Sequence, residues 1–208
     1  MNTDTLYYIH DPMCSWCFAF APAWQALQRR LPASIRVQRL LGGLAQDTDE
    51  PMPAALCETL QATWRRIEQR VPGIHFNFDF WSQCLPRRAT YPACRAVIAA
   101  RAQGPGYDTK MTHAIQQAYY QQARNPSDTQ TLITLAAEIA LDVQHFTEDL
   151  HSPTTQQQLM NEISQSRQLG ADSFPALVLD RAGSRWPIAI DYSQPDSMYE
   201  LITLLTAD

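Results

Sequence analysis

The sequence has no long uncharged apolar run and no excess of basic residues. No stretch of 18 apolar residues occurs, so a membrane-spanning helix is not expected. The 16 Lys and Arg stand against 21 Asp and Glu, for a formal net charge of -5. Nucleic acids and anionic membrane surfaces are bound by neutralising phosphates with Lys and Arg, so neither is expected as a partner.

The beginning of the sequence also lacks the marks of a secretory leader. Residues 1–5 carry no positive charge, and the apolar stretch that follows is interrupted by His10 and Asp11. This pattern argues against a signal peptide and predicts a cytoplasmic protein.

Cysteine is sparse and odd in number, with five residues at positions 14, 17, 57, 84 and 94. At 208 residues and 45% hydrophobic composition, the chain can bury a core without a disulfide framework. Only Cys14 and Cys17 are spaced as a motif, and in a reducing compartment such a pair is typical of catalysis or metal binding. Zinc needs four ligands, and the five histidines are scattered, so no metal site is predicted. The other three cysteines are interpreted as core residues.

Hydrophobic patterns predict a β-α-β unit at the start of the chain. Residues 5–10 are aromatic and β-branched, as in a buried strand, and Asp11-Pro12 ends it. One apolar helical face follows, formed by Phe20, Trp24, Leu27 and Leu31. Pro22 lies inside this helix and is expected to kink it. Residues 35–41 form a second strand, which ends at Gly42-Gly43.

The middle of the chain has a helical pattern and the last part returns to strands. Helices are predicted at 53–71, 91–103, 108–124, 128–141 and 153–169, whereas the alternating phenylalanines of 75–81 do not fit one. Strands are predicted at 176–179 and 186–190, with Pro187 marking a sheet edge, before a last helix from Pro195. The fold class is therefore α/β. Residues 1–48 and 171–208 are predicted to form one discontinuous domain, and 49–170 a helical insertion.

The pair Cys14-Ser15-Trp16-Cys17 lies where the first strand passes into the first helix. A cysteine in the first helical turn faces unpaired N–H groups and the positive end of the dipole, which stabilises thiolate over thiol. Cys17 lies one turn deeper on the same face, close enough to form a disulfide or to release a mixed one. We therefore predict Cys14 as nucleophile and Cys17 as resolving thiol, acting on protein or small-molecule disulfides and thiols.

These features together resemble the thioredoxin superfamily. Pro22 follows Cys14 by eight residues, the spacing of the helix proline in thioredoxins, and the later strand is also entered through a proline. The long helical block resembles the DsbA branch, including its FrnE-like and cytoplasmic disulfide isomerase members, with residues 11–17 as the strongest local match. The resemblance implies a thioredoxin fold (β-α-β … β-β-α) with a large helical insertion, and a thiol-disulfide oxidoreductase or isomerase activity.

The resemblance also implies further site residues. Pro175 is expected to follow a cis peptide bond and to face the sulfurs, and the backbone of Phe174 is expected to pair with an extended substrate segment. Ser15 and Trp16, between the cysteines, are expected to contact substrate, with the Trp16 indole as an exposed apolar platform.

The sequence departs from the family pattern at three points. Many thioredoxin-like enzymes have a buried carboxylate six residues before the first cysteine, where this chain has Tyr8. Asp11 is the nearest acid, and it could relay the proton of Cys17 or cap the helix. His10 could stabilise the thiolate as a cation. The Ser15-Trp16 dipeptide differs from the Gly-Pro and Pro-His pairs that are familiar in the thioredoxin superfamily. The reduction potential of the Cys14-Cys17 pair therefore cannot be inferred from the enzymes that have those dipeptides.

Two other functions remain open at this point. The kappa-class glutathione transferases and the chromene-carboxylate isomerases are similar, but they keep a serine where this chain has its cysteine pair. A redox-sensing, chaperone-like binder is the third reading. No resident cofactor is expected, although glutathione could act as a redox co-substrate, and the recycling reductase is unidentified. Oxidase, reductase and isomerase differ in reduction potential, which the sequence does not encode.

Overall fold

The computed structural model describes residues 4–207, which form a four-stranded sheet and a set of helices. The strands are β1 (Thr5–His10), β2 (Arg36–Leu41), β3 (Ala176–Arg181) and β4 (Ser184–Ile188). The helices are α1 (Ser15–Arg30), α2 (Ala54–Arg70), α3 (Phe80–Gln83), α4 (Tyr91–Ala102), α5 (Tyr107–Tyr120), α6 (Thr129–Glu138), α7 (Val143–Leu150), α8 (Pro153–Gln168) and α9 (Pro195–Thr206). None of the helices within residues 4–207 has the length and apolar character needed to cross a membrane.

The strand order is β2-β1-β3-β4, with β1 parallel to β2 and antiparallel to β3. A parallel pair needs a crossover connection, which α1 supplies, and β3 and β4 are joined directly as an antiparallel hairpin. β4 lies at the edge of the sheet, where Pro187 can be accommodated without a ladder N–H, as predicted. This is the predicted thioredoxin fold, with α2 to α8 inserted between its two halves.

Apolar side chains cover both faces of this sheet. On one face Phe20, Trp24 and Leu27 of α1 pack with Leu6 and Leu179. Each such side chain contributes about 1.5–3 kcal/mol when fully buried. A smaller cluster on other sheet positions consists of Ile9, Leu40, Leu169, Ala171 and Val178. α1 is thus fixed along its length, and its first turn is held at the carboxyl end of β1.

The helical insertion has its own aromatic core. The indole of Trp64 lies 4.9 Å from the Phe76 ring and 5.5 Å from the Tyr120 ring, measured between centroids. The alternating phenylalanines contribute to this cluster from an irregular segment that contains only the single turn α3. Tyr120 in turn stacks on Phe18 at 4.8 Å, so the insertion packs directly against the first turns of α1.

The insertion also contains α7, which the pattern did not predict. We expected one helix over 128–141, but α6 ends at Glu138, and Ala140 has a φ of 60°. Asp142 then caps α7 by accepting a hydrogen bond of 2.9 Å from the His145 N–H. We predicted no element between 141 and 153, although Val143, Phe146 and Leu150 recur at helical spacing.

Gly42 brings the loop before β3 against the end of β2. A side chain on Gly42 would collide with the ring of Phe174, which packs over this position. The Gly42 N–H donates a 2.8 Å hydrogen bond to the carbonyl of His10, which continues the pairing of β1 with β2. The absence of a side chain therefore lets residues 174–175 approach the carboxyl end of β1, where the cysteine pair lies.

Candidate active site

The two sulfurs of the motif have different environments. Cys14 is the N-cap of α1 in an extended conformation, and its Sγ accepts a 3.3 Å hydrogen bond from the Cys17 N–H. Cys14 retains 7% exposure, whereas Cys17 is fully buried. Burial raises the pKa of the Cys17 thiol well above its usual range, and the neighbouring Cys14 raises it further. The geometry thus leaves Cys14 with a small exposed fraction and keeps Cys17 as a neutral, fully buried thiol behind it.

The loop before β3 completes the surroundings of Cys14. Antiparallel pairing of β3 with β1 sets Ala176 opposite Ile9, which brings the preceding residues to the cysteine pair. The Cys14 S–H donates to the carbonyl of Phe174 at 3.4 Å. The Phe174-Pro175 peptide bond is cis, which confirms that prediction. Ser15 begins α1 and is half-buried.

Asp11 is fully buried behind the motif, and its carboxylate accepts four hydrogen bonds. The donors are the N–H groups of Met13 and Leu44, both at 2.8 Å, the Thr90 hydroxyl at 2.7 Å and the Cys94 thiol at 3.5 Å. Three of these bonds go to Oδ2, whereas Oδ1 accepts only from Met13. Asp11 therefore ties the motif to the 42–45 loop and to α4, and its role as a proton relay for Cys17 stays a prediction.

His10 does not supply the positive charge expected from the sequence. Its side chain is buried against Tyr8, with ring centroids 4.9 Å apart, and its Nδ1 has no hydrogen-bond partner among the described residues. Burial lowers the pKa of His10 to about 3, and the nearby Arg39 and Arg101 act in the same direction. A neutral imidazole offers no charge to a thiolate, so the cationic role is wrong.

Tyr8 occupies the β1 position where related enzymes have a carboxylate. Its ring lies 4.4 Å from that of Trp24, in apolar surroundings. Burial raises the pKa of this phenol well above its usual value, and the charges of Cys17 and Cys14 raise it further. Tyr8 is therefore a neutral neighbour of the cysteine pair.

The mouth of the site contains two residues that the sequence pattern did not indicate. The ring of Tyr192, from the loop between β4 and α9, lies 5.2 Å from that of Trp16. The Arg70 guanidinium, at the end of α2, lies 5.8 Å from the Trp16 ring centroid. Trp16 is half-buried between them, so the platform is less exposed than expected. Periodicity gives no signal for either partner, because both come from distant elements.

The remaining cysteines and the other polar residues form no second centre. Cys94 is buried and bonded to Asp11, as described, whereas Cys57 and Cys84 are only partly buried. The Cys84 thiol donates to the carbonyl of Ala123 at 3.0 Å, and burial raises its pKa. Across residues 4–207 no three His, Cys, Asp or Glu side chains converge as metal ligands would.

Replacing Asp11 by Asn tests its positioning role. The amide keeps one acceptor oxygen, which best replaces Oδ2 with its three donors. Its nitrogen then faces the Met13 N–H, which loses its acceptor at a cost of about 1–3 kcal/mol. We expect the free energy of unfolding, measured by urea denaturation, to fall by about that amount. Hydrogen exchange at the Met13 amide should accelerate. Equal stability of Asp11→Asn and wild type would contradict the role.

The buried neutral His10 makes stability depend on pH. The unfolded chain binds a proton at His10 near pH 6.5, whereas the folded protein binds it only near pH 3. Between these values acid favours the unfolded state, so stability is lost as the pH falls, by about 1.4 kcal/mol per pH unit. His10→Phe keeps the ring stack and removes this loss, giving the variant an advantage of about 2 kcal/mol at pH 5 relative to pH 7. Urea denaturation at both pH values measures it. His113→Phe, at an exposed position, serves as control. If the free energy of unfolding of His10→Phe changes with pH in the same way as that of wild type, the buried neutral state of His10 is refuted.

Comparison with curated proteins finds relatives named as ClpXP adapter protein SpxH. The protein of Halalkalibacterium halodurans is 25% identical over 177 residues, which cover 83% of this chain and 57% of that protein. The Bacillus subtilis protein is 22% identical over 173 residues. The chain therefore spans about three fifths of the length of the curated relatives it matches.

Solved structures match over almost the whole chain. A candidate protein disulfide isomerase from Nitrosomonas europaea is 27% identical, with a TM-score of 0.83 and 97% of both chains covered. The cytosolic disulfide reductase DsbM from Pseudomonas aeruginosa is 25% identical, with a TM-score of 0.75 and coverage of 97% and 98%; a further structure of it is with GSH. The thioredoxin family model matches residues 7–200. With its cysteine pair at the start of α1, this chain belongs to the thioredoxin family and has a DsbA-like fold.

Proposed function

We propose that the protein exchanges disulfides of proteins or small molecules through Cys14 and Cys17, as a reductase or isomerase in the cytoplasm. The observation that carries this is the asymmetry of the two sulfurs: Cys14 caps α1 and retains a small exposed fraction, and Cys17 is a fully buried thiol one turn behind it. The similarity to a cytosolic disulfide reductase supports the direction and the compartment.

The reaction has two exchange steps. The Cys14 thiolate, stabilised by the start of α1, attacks one sulfur of the substrate disulfide, forms a mixed disulfide and expels the other sulfur as a thiolate. Cys17 then loses its proton to solvent or to the departing thiolate and attacks the sulfur of Cys14. This forms the Cys14-Cys17 disulfide, releases the second substrate thiolate and leaves the substrate reduced by two electrons. A separate reductase must return those electrons to the protein.

The loop around Pro175 is the part of the site that we assign to substrate binding. The Phe174 carbonyl already accepts from the Cys14 thiol, so the backbone of this loop lies within reach of a chain bonded to that sulfur. We assign residues 174–175 to main-chain binding of an extended substrate segment, and Ser15 and Trp16 to contacts beside it.

Substitution of the two cysteines tests the reaction. In an insulin-reduction assay, Cys14→Ser should lose at least about 100-fold in rate, because the nucleophile is gone. Cys17→Ser should instead accumulate a mixed disulfide at Cys14, visible by mass spectrometry without reductant. Cys57→Ser, which leaves the pair intact, should behave as wild type. Retained insulin reduction by Cys14→Ser would refute the proposed function.

Glutathione is the small thiol that we propose as redox co-substrate. A recess of about 240 Å³ adjoins Phe174 and is lined by Gly43, Arg167 and Asp172 among others. Arg167 and Asp172 are exposed and opposite in charge, which suits a peptide that carries both carboxylates and an ammonium group. The structure of the similar DsbM protein with GSH supports the same choice.

Binding of glutathione in this recess can be tested separately from disulfide exchange at Cys14. Arg167→Gln should slow the reaction of reduced protein with glutathione disulfide by about two- to fivefold, the effect of one exposed ion pair. The reaction with neutral hydroxyethyl disulfide should be unchanged, and stopped-flow tryptophan fluorescence follows both. An equal effect on the two disulfides, or none on either, would remove glutathione from this recess while leaving exchange at Cys14 in place.

The adapter relatives favour a second candidate function, which is binding of a protein client by a redox-sensitive surface. Such binding would persist in Cys14→Ser, whereas the exchange reaction would not. The same variant therefore separates the two functions. A glutathione transferase or isomerase activity is set apart by turnover that does not require Cys17.

A further inference from the structure

A cation lies at the mouth of the site, on the face of Trp16. Arg70 is the last residue of α2, and its guanidinium carbon lies 5.8 Å from the centre of the Trp16 ring. Trp16 separates Cys14 from Cys17 in the sequence and turns its ring toward Tyr192 at 5.2 Å. Burial raises the pKa of Tyr192, Cys17 and Cys14 raise it further, and the charge of Arg70 acts in the opposite direction. Arg70, Tyr192 and both sulfurs therefore share one electrostatic neighbourhood.

Arg70 has no anionic partner among the described residues. Within residues 4–207 it makes no hydrogen bond and no ion pair, and its side chain is exposed. Among other arginines of the helical insertion, Arg87, Arg95 and Arg101 are each bonded to a carboxylate of the chain. Arg65 of α2 lies on the ring of Phe78 instead, so what distinguishes Arg70 is its place on the ring of Trp16, which lies between the two cysteines in sequence. In a protein with net charge -5, an unneutralised guanidinium on the ring of Trp16, within the motif, is a place for an anion from outside.

The geometry defines what kind of anion fits. A guanidinium that lies on an aromatic ring keeps its edge N–H groups free, and these match the two oxygens of a carboxylate. The Trp16 and Tyr192 rings offer an apolar wall for the atoms that connect this carboxylate to a sulfur. An acidic residue close to a disulfide in a protein or peptide meets both requirements.

We infer that Arg70, held on Trp16, binds a carboxylate next to the disulfide under attack, so that the protein selects acidic disulfide substrates. This inference rests on the proposed exchange reaction and names its substrate class. Arg70 is a specificity residue and takes no part in the bond changes at sulfur. An exposed pair of this kind raises the rate of productive encounter by about two- to fivefold, and salt screens it.

The test uses three peptides that are identical except at two positions flanking one intramolecular disulfide: Asp-Asp, Gln-Gln or Lys-Lys. The second-order rate constant of the reduced protein is measured with each peptide. Wild type should prefer the Asp peptide to the Gln peptide by about two- to fivefold and the Gln peptide to the Lys peptide. In 0.5 M salt the three rates should converge.

Variants assign the preference to Arg70. Arg70→Gln should bring the Asp and Gln peptides to equal rates, and Arg70→Glu should favour the Lys peptide. Arg65→Gln is the matched control, because it removes the same charge from the same helix but its guanidinium lies on Phe78 at 5.2 Å. It should keep the wild-type order.

The outcomes distinguish a failure of the proposed Arg70 specificity from a failure of the proposed exchange reaction. An Asp preference that persists in Arg70→Gln and Arg70→Glu, or no preference in wild type, overturns the specificity of Arg70. The neutral Gln peptide reports on the exchange reaction itself: if wild type fails to reduce it, the proposed function falls. Equal rates of all Arg70 variants with the Gln peptide show that the mutated proteins are folded.

Discussion

The carboxylate of Asp11 holds the site together, because three parts of the chain depend on it for their hydrogen bonds. It accepts from Met13, in the turn that leads to α1, from Leu44, after β2, and from Thr90, at the start of α4. A buried charge is tolerated only when its acceptor positions are filled, so these contacts require one another. The helical insertion is thus coupled to the cysteine motif by polar bonds as well as by packing.

Around this fixed point, two identical functional groups acquire different chemical roles. Cys14 sits at the positive end of the α1 dipole and retains a small exposed fraction, whereas Cys17 is fully buried. Tyr8 and His10, which could have carried charge, are both held uncharged by burial. Burial of Cys17 therefore provides most of the difference between the two sulfurs, while the side-chain charge at the mouth comes from Arg70.

Local patterns predicted the elements that carry the motif, because β1, α1 and α2 each show their burial in their own periodicity. The α/β class, the sheet edge at Pro187 and the position of the cysteines at a helix start all followed from such patterns. The cis bond before Pro175 was predictable only through family resemblance, since no periodicity encodes it. The boundaries chosen for the two domains remain a prediction.

What the sequence could not predict depends on contacts between distant positions. Asp11 and Cys94 are 83 residues apart, and nothing near either residue indicates the other. Tyr192 and Arg70 reach the mouth from a loop and from a helix end, where no hydrophobic period applies. The charge state of His10 was mispredicted for the same reason, since its burial is produced by elements that follow it in the chain.

The antiparallel pairing of β3 with β1 has a consequence for the synthesis of the protein. The Cys14 sulfur and the Phe174 carbonyl are 160 positions apart, so during translation the nucleophile leaves the ribosome long before its neighbour is made. Closing so long a chain segment is a slow, late event in folding. For that interval the dithiol is present on an unfinished chain, without the surroundings that select its substrates, and it is open to any disulfide that the cell contains.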